Sequence, residues 1–128
     1  MFKPTSAFSG FTVDDATKAK EFYSKTLGLA VNEQPGGMKI QLPGGNSAWM
    51  YAKPDHQAGN HTMLNFVVGD IDQAVEALTK QGVTFERYDG MPQDEKGVMR
   101  GRAHQMGPDI AWFKDPASNI LAVMQLAE

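Results

Sequence analysis

Five side chains in this chain are the best suited to chemistry: the histidines His56, His61 and His104 and the arginines Arg100 and Arg102. An imidazole can ligate a metal or move a proton near neutral pH, and a guanidinium can grip a carboxylate or phosphate with two parallel contacts. Their spacing is poor for a metal. His56 and His61 are five apart with no Glu at helical spacing, and His104 stands alone in a glycine-rich stretch. The absence of cysteine removes thiol catalysis, zinc ribbons, iron–sulfur clusters and disulfide frameworks. No Ser-x-Gly elbow occurs. The glycine pairs of Gln34-Pro35-Gly36-Gly37 and Pro43-Gly44-Gly45-Asn46 read as turns, since neither precedes a helix opening with Lys-Ser or Lys-Thr.

At 128 residues the chain has the length of one domain, 1–128. Twelve basic residues face fifteen acidic ones, so nothing suggests the basic patch that nucleic acid or an anionic membrane surface requires. No apolar run approaches the roughly 20 residues of a spanning helix. The opening Met1-Phe2-Lys3-Pro4-Thr5-Ser6 lacks a signal peptide's apolar core, and the expected location is cytoplasmic.

The elements that must position these groups come in two copies. Phe11 aligns with Phe66, Val13 with Val68, Asp15 with Asp70 and Ala19 with Ala74 at one constant offset. Gly28 aligns with Gly82 one position short of it. Such self-similarity marks two copies of one supersecondary unit. Asp70 reads as a helix cap with Gln73 three residues on, and Ile71, Ala74, Val75 and Leu78 form one apolar stripe. Asp15 caps the first copy, whose stripe is Ala16, Ala19, Phe22, Tyr23 and Leu27. Capping accounts for both aspartates without a catalytic role. Gly28 and Gly82 stand where helices stop.

Strands are expected at 7–13, 29–32, 38–42 and 48–52 in the first copy, and at 62–68, 83–88, 110–114 and 120–125 in the second. Part of 97–104 can add another. Each half reads β-α-β-β-β, with repeat 1 at about 5–53, repeat 2 at about 61–127 and a polar join at 53–60. The fold class is α+β, two tandem βαβββ modules forming a curled mixed sheet with helices outside.

Two such modules in this length resemble the vicinal oxygen chelate superfamily, which includes glyoxalases, extradiol dioxygenases, fosfomycin-resistance enzymes and bleomycin-binding proteins. The resemblance rests on Phe11-Thr-Val-Asp-Asp with Glu21-Phe-Tyr and Leu27-Gly-Leu, on Phe66-Val-Val-Gly-Asp-Ile-Asp, and on Trp112-Phe-Lys-Asp-Pro-Ala-Ser-Asn-Ile-Leu near the end. Ser118 replaces the glycine usual in that closing turn.

The resemblance implies four metal-ligand positions, on the first and last strand of each module. Here they carry Phe8, Met50 (the least surely placed), Met63 and Ala122. Carbon and thioether groups make no site for a divalent ion that wants imidazole, carboxylate or thiolate, so no cofactor is expected. A groove of soft and aromatic side chains remains, with Phe8, Met50, Met63, Asn65 and Ala122 as candidate ligand contacts. The long loop 89–108 adds Arg100 and Arg102 as a clamp for an anionic group, or as solvated charges. A packed barrel core is the plainer account of the apolar positions. The expected partner is a small hydrophobic or aromatic molecule, without nucleic acid or membrane, and the family suggests a homodimer. The alternative is a glyoxalase-type lyase or isomerase, or a dioxygenase-like enzyme, with a non-standard metal site drawing on His61, His104 or Glu33.

Overall fold

A computed structural model describes residues 1–127. The chain forms two compact units, Met1–Gln57 and a second from Ala58 onward. The first contains β1 (Ser9–Val13), α1 (Ala16–Glu21), β2 (Val31–Gln34), β3 (Gly37–Leu42) and β4 (Asn46–Ala52). Its sheet runs β1-β4-β3-β2, with β1 parallel to β4 and the other pairs antiparallel. The second contains β5 (Thr62–Val67), α2 (Ile71–Lys80), β6 (Met99–Arg100), β7 (Asp109–Lys114) and β8 (Ile120–Gln125). Its order, β5-β8-β7-β6, repeats that of the first.

Both helices start where the aspartates put them. Asp15 accepts from the Lys18 amide at 3.0 Å and Asp70 from the Gln73 amide at 3.1 Å, each satisfying an otherwise orphaned N–H. α2 is a regular helix whose Ile71 and Val75 are buried. After α1 the chain makes a π turn, Phe22–Thr26, in which the Leu27 amide reaches back five residues to the Phe22 carbonyl. This turn accounts for the one-residue slip between Gly28 and Gly82, because a π turn holds one residue more than an α turn.

In the first sheet one face belongs to α1. Phe11, Val13, Met38, Ile40, Ala48 and Met50 are buried there, and Tyr23 packs on Phe11 at 5.6 Å between ring centroids. In the second sheet Ala111, Phe113, Leu121 and Val123 are the buried layer, and the Gln125 carboxamide accepts from the Ile71 amide at the start of α2. The turn between β7 and β8 is held by Asp115. Its Oδ1 accepts from the Ala117 and Asn119 amides, and its Oδ2 accepts from the Asn119 carboxamide at 2.9 Å. Ser118 takes the left-handed conformation there, at φ 67°.

One expected strand is absent. The stretch 83–88 alternates as a strand should, yet it makes a single backbone bond to the sheet, from the Glu86 amide to the Trp112 carbonyl. Apart from the local turn bonds of Val83 to Leu78 and Met91 to Tyr88, its remaining backbone partners come from one side chain. Gln93 donates to the Glu86 and Gly97 carbonyls and accepts from the Tyr88 amide, so one carboxamide replaces a ladder. The strand that does border β7 at this end is β6, from the long loop.

Candidate functional site

The open face of the first sheet, opposite α1, carries a cleft. Registers place Gly10 beside Trp49 and Thr12 beside Tyr51, with Lys39 across from Trp49 and Gln41 from Ser47. Strand alternation puts Phe8 on this same face. Phe8 is 67% exposed, at the edge of the sheet. The indole of Trp49 lies over Gly37, so close that a Cβ there would stand 2.6 Å from its ring. The absence of a side chain at Gly37 therefore makes room for the indole against the backbone. Phe8, Lys39, Trp49, Ser47, Asn46 and Gln34 line a cleft of about 850 Å³ formed wholly within the first unit. That volume suits a drug-sized molecule.

Met50 is not part of it. In a parallel pair side chains in register share a face, and Met50 is opposite Phe11, fully buried beneath α1. The expectation that Met50 joins Phe8 in a groove is corrected, and Trp49 and Tyr51 occupy the open-face positions instead. Lys39 and Trp49, which the sequence reading did not single out as site residues, line the cleft.

In the second sheet Asn65 is exposed and opposite Ala122, which is fully buried and is also opposite Trp112 on its other side. The Trp112 indole donates to the Thr62 hydroxyl at 3.1 Å and meets the Tyr88 ring edge-on at 5.6 Å. Met63 falls at a register shift, where Thr62 pairs with Ile120 and Leu64 with Leu121. The alternation expected to align Met63 with Asn65 is broken at that bulge. The Tyr88 hydroxyl is buried without a hydrogen-bond partner among the described residues. Desolvation, followed by the nearby Glu86 carboxylate, pushes its pKa up.

Arg100 and Arg102 are committed to this chain's own carboxylates. Arg100 contacts Asp72 through Nη2 at 2.7 Å and Asp94 through Nε at 2.9 Å, with Asp109 at 3.8 Å. Arg102 Nη1 lies 3.6 Å from the Asp109 carboxylate, and the Arg102 amide donates to the other Asp109 oxygen. The Arg100 hydrogen bond, with help from Lys96, lowers the Asp72 pKa from 3.8 to about 2. Burial opposes ionisation of Asp94, but the Val98 amide, Arg100 and the Lys96 amide together hold its pKa below the usual value. Three aspartates surround Arg100, so the expected anion clamp is internally neutralised and serves to fasten the loop to α2 and β7.

The residues at the implied metal positions do not fit a divalent ion. Phe8 and Ala122 have no donor, Met63 offers a thioether at a bulge, and Met50 is buried on the other face. His56 Nδ1 lies 2.6 Å from the Thr12 hydroxyl, and Glu33 pairs with Lys20 at 3.1 Å. His61 and His104 are exposed. Among the described residues no three His, Asp or Glu side chains form a group able to hold a metal.

Residues 7–123 match the model of the Glyoxalase/Bleomycin resistance protein/Dioxygenase superfamily, and the chain belongs to that superfamily. Solved structures share the fold across nearly the whole length. TnmS3, an antibiotic binding protein from Streptomyces sp. CB03234, is 23% identical with a TM-score of 0.67, covering 98% of this chain and 100% of its own. The genomically encoded fosfomycin resistance protein FosX from Listeria monocytogenes is 12% identical with a TM-score of 0.70, covering 97% and 94%. A superfamily member from Sphaerobacter thermophilus DSM 20745 is 23% identical with a TM-score of 0.63, covering 94% and 97%. No curated protein sequence matches the chain significantly. Among the described residues no helix is long and apolar enough to cross a membrane.

Proposed function

We propose that this chain is a metal-free binding protein of the superfamily, which holds a small hydrophobic or aromatic molecule on the open face of its first sheet. The observation that supports this most is the cleft lined by Phe8 and Trp49, with Gln34, Asn46 and Ser47 as neutral polar groups. Two aromatic side chains with a few polar contacts form a surface for a flat compound. Its antibiotic binding neighbour from Streptomyces has the same architecture, which makes a drug-like ligand a reasonable first class to screen.

The donor chemistry at Phe8, Met50, Met63 and Ala122 supports binding over metal-assisted catalysis. The homodimer belongs to the same proposal. β1 and β5 are edge strands, and Val67 on β5 is 60% exposed, a surface that pairing would cover. A cytoplasmic location is proposed with it.

Metal analysis of the purified protein, combined with a thermal-shift screen of planar aromatic compounds, tests the reading. Stabilising compounds in metal-free protein, with the effect lost in Trp49→Ala, are expected. Stoichiometric zinc, nickel or manganese would instead support a glyoxalase-type lyase, isomerase or dioxygenase.

A further inference from the structure

We infer that the cleft prefers an aromatic ligand bearing an anionic group, and that Lys39 is the cation that sets this preference. The inference rests on the small-molecule reading above and adds the ligand's charge to it. Although the chain has a net charge of −3, no Asp or Glu lines this cleft and one lysine does. Lys39 is half-buried, directly opposite Trp49 across β3 and β4. Facing residues in an antiparallel pair have their Cβ atoms about 5 Å apart, so the ammonium and the indole address the same volume.

The neighbouring charges leave this cation available. Opposite Lys39 on β2 is the neutral Asn32. Glu33, the next residue, pairs with Met38 on the α1 side and is taken by Lys20 at 3.1 Å. No described carboxylate lies within ion-pair distance of Lys39. The remaining polar groups, Gln34, Asn46 and Ser47, can donate hydrogen bonds but carry no charge. A planar ring lying against Trp49 with a carboxylate, sulfonate or phenolate toward Lys39 satisfies both groups at once. A cationic ring would be repelled by the one charge it meets.

Three probes with one ring system separate shape from charge: 2-naphthoate, 2-naphthalenemethanol and 2-naphthylmethylammonium. Their affinities are measured by equilibrium dialysis at neutral pH in about 0.02 M and about 0.5 M salt. For the wild type, naphthoate is expected to bind about tenfold tighter than the alcohol at low salt, a ratio that a charge-assisted contact supplies and that salt reduces. The ammonium is expected to bind more weakly than the alcohol. The naphthoate-to-alcohol ratio should fall to about one in Lys39→Gln, as expected when the charged contact is gone. It should persist in Lys39→Arg and in Lys18→Gln, a lysine on the exposed side of α1. Binding of all three probes with equal affinity, or a preference that survives Lys39→Gln, overturns the charge assignment and leaves the small-molecule reading standing. Binding of none of them removes the cleft as an aromatic site and both statements with it.

Discussion

Asp72 and Arg100 meet in a two-pronged contact across 28 positions of sequence, Nη2 to Oδ1 at 2.7 Å and Nη1 to Oδ2 at 3.3 Å. It ties the first turn of α2 to β6, the only strand of the 89–108 loop. Arg100 and Asp72 remain partly exposed, at 31% and 47% respectively, which discounts the pair to about 1 kcal/mol. Asp72 has a lowered pKa when folded, so its contribution is complete above the unfolded value of 3.8 and is lost as pH falls toward about 2. The Tm difference between wild type and Arg100→Gln should thus be constant from neutral pH to about 4 and shrink below it. A difference that stays unchanged to the acid limit would show that the guanidinium acts through other partners.

Tyr88→Phe should leave stability unchanged or raise it by about 1 kcal/mol, because a buried hydroxyl without a partner carries an uncompensated desolvation cost. Chemical denaturation measures this directly. A loss larger than about 1 kcal/mol would mean that the phenol has a partner in solution.

Ser118→Gly should stabilise by about 0.5–1 kcal/mol, since glycine adopts the left-handed conformation at φ 67° without strain. Ser118→Val should cost more than about 1 kcal/mol, because a β-branched residue fits that region poorly. Equal melting of all three proteins would deny that the turn fixes this conformation.

Met50 and Phe8 should separate stability from binding. Met50→Ala removes a fully buried side chain and should cost about 2–5 kcal/mol. Phe8→Ala should cost under about 1 kcal/mol while weakening aromatic ligands, since the ring is 67% exposed at the cleft. The reverse ranking in a denaturation series would put the two residues on the wrong faces.

Gly37→Ala should displace the Trp49 indole, because the new methyl would meet both the ring and the Met50 carbonyl, at 2.6 and 2.7 Å. Weaker aromatic binding with shifted tryptophan fluorescence in a Trp112→Phe background is the expected result. Unaltered emission would show that the indole does not rest on the backbone at this point.

The repeat, both caps and most strands were legible in the sequence because they depend on local signals: Asp15 and Asp70 before an apolar stripe, and glycines at the stops. The face assignment of β4 was not. Ala48-Trp49-Met50-Tyr51 is apolar on both sides, so alternation gives two sets without saying which faces the helix; only pairing with Phe11 decides it. The stretch 83–88 shows a strand pattern, but its partners belong to Gln93, and a side chain standing in for a ladder has no periodicity to detect. Arg100 and Arg102 looked available because Asp72, Asp94 and Asp109 come near them only in the folded chain. Lys39 could have been found from the Pro43-Gly44-Gly45 hairpin. Counting outward from the Leu42–Asn46 pair puts it across from Trp49.

The wide turn at Phe22–Thr26 bears on how duplicated units drift apart. An extra residue inside a regular helix rotates everything after it by about 100 degrees and would swing the following strands out of register. Here the surplus is swallowed within one loop of the spiral, and Leu29 still returns its amide to the Tyr23 carbonyl. A single-codon insertion can thus survive in the middle of a structural element, and the two halves can differ in length while their sheets keep the same wiring.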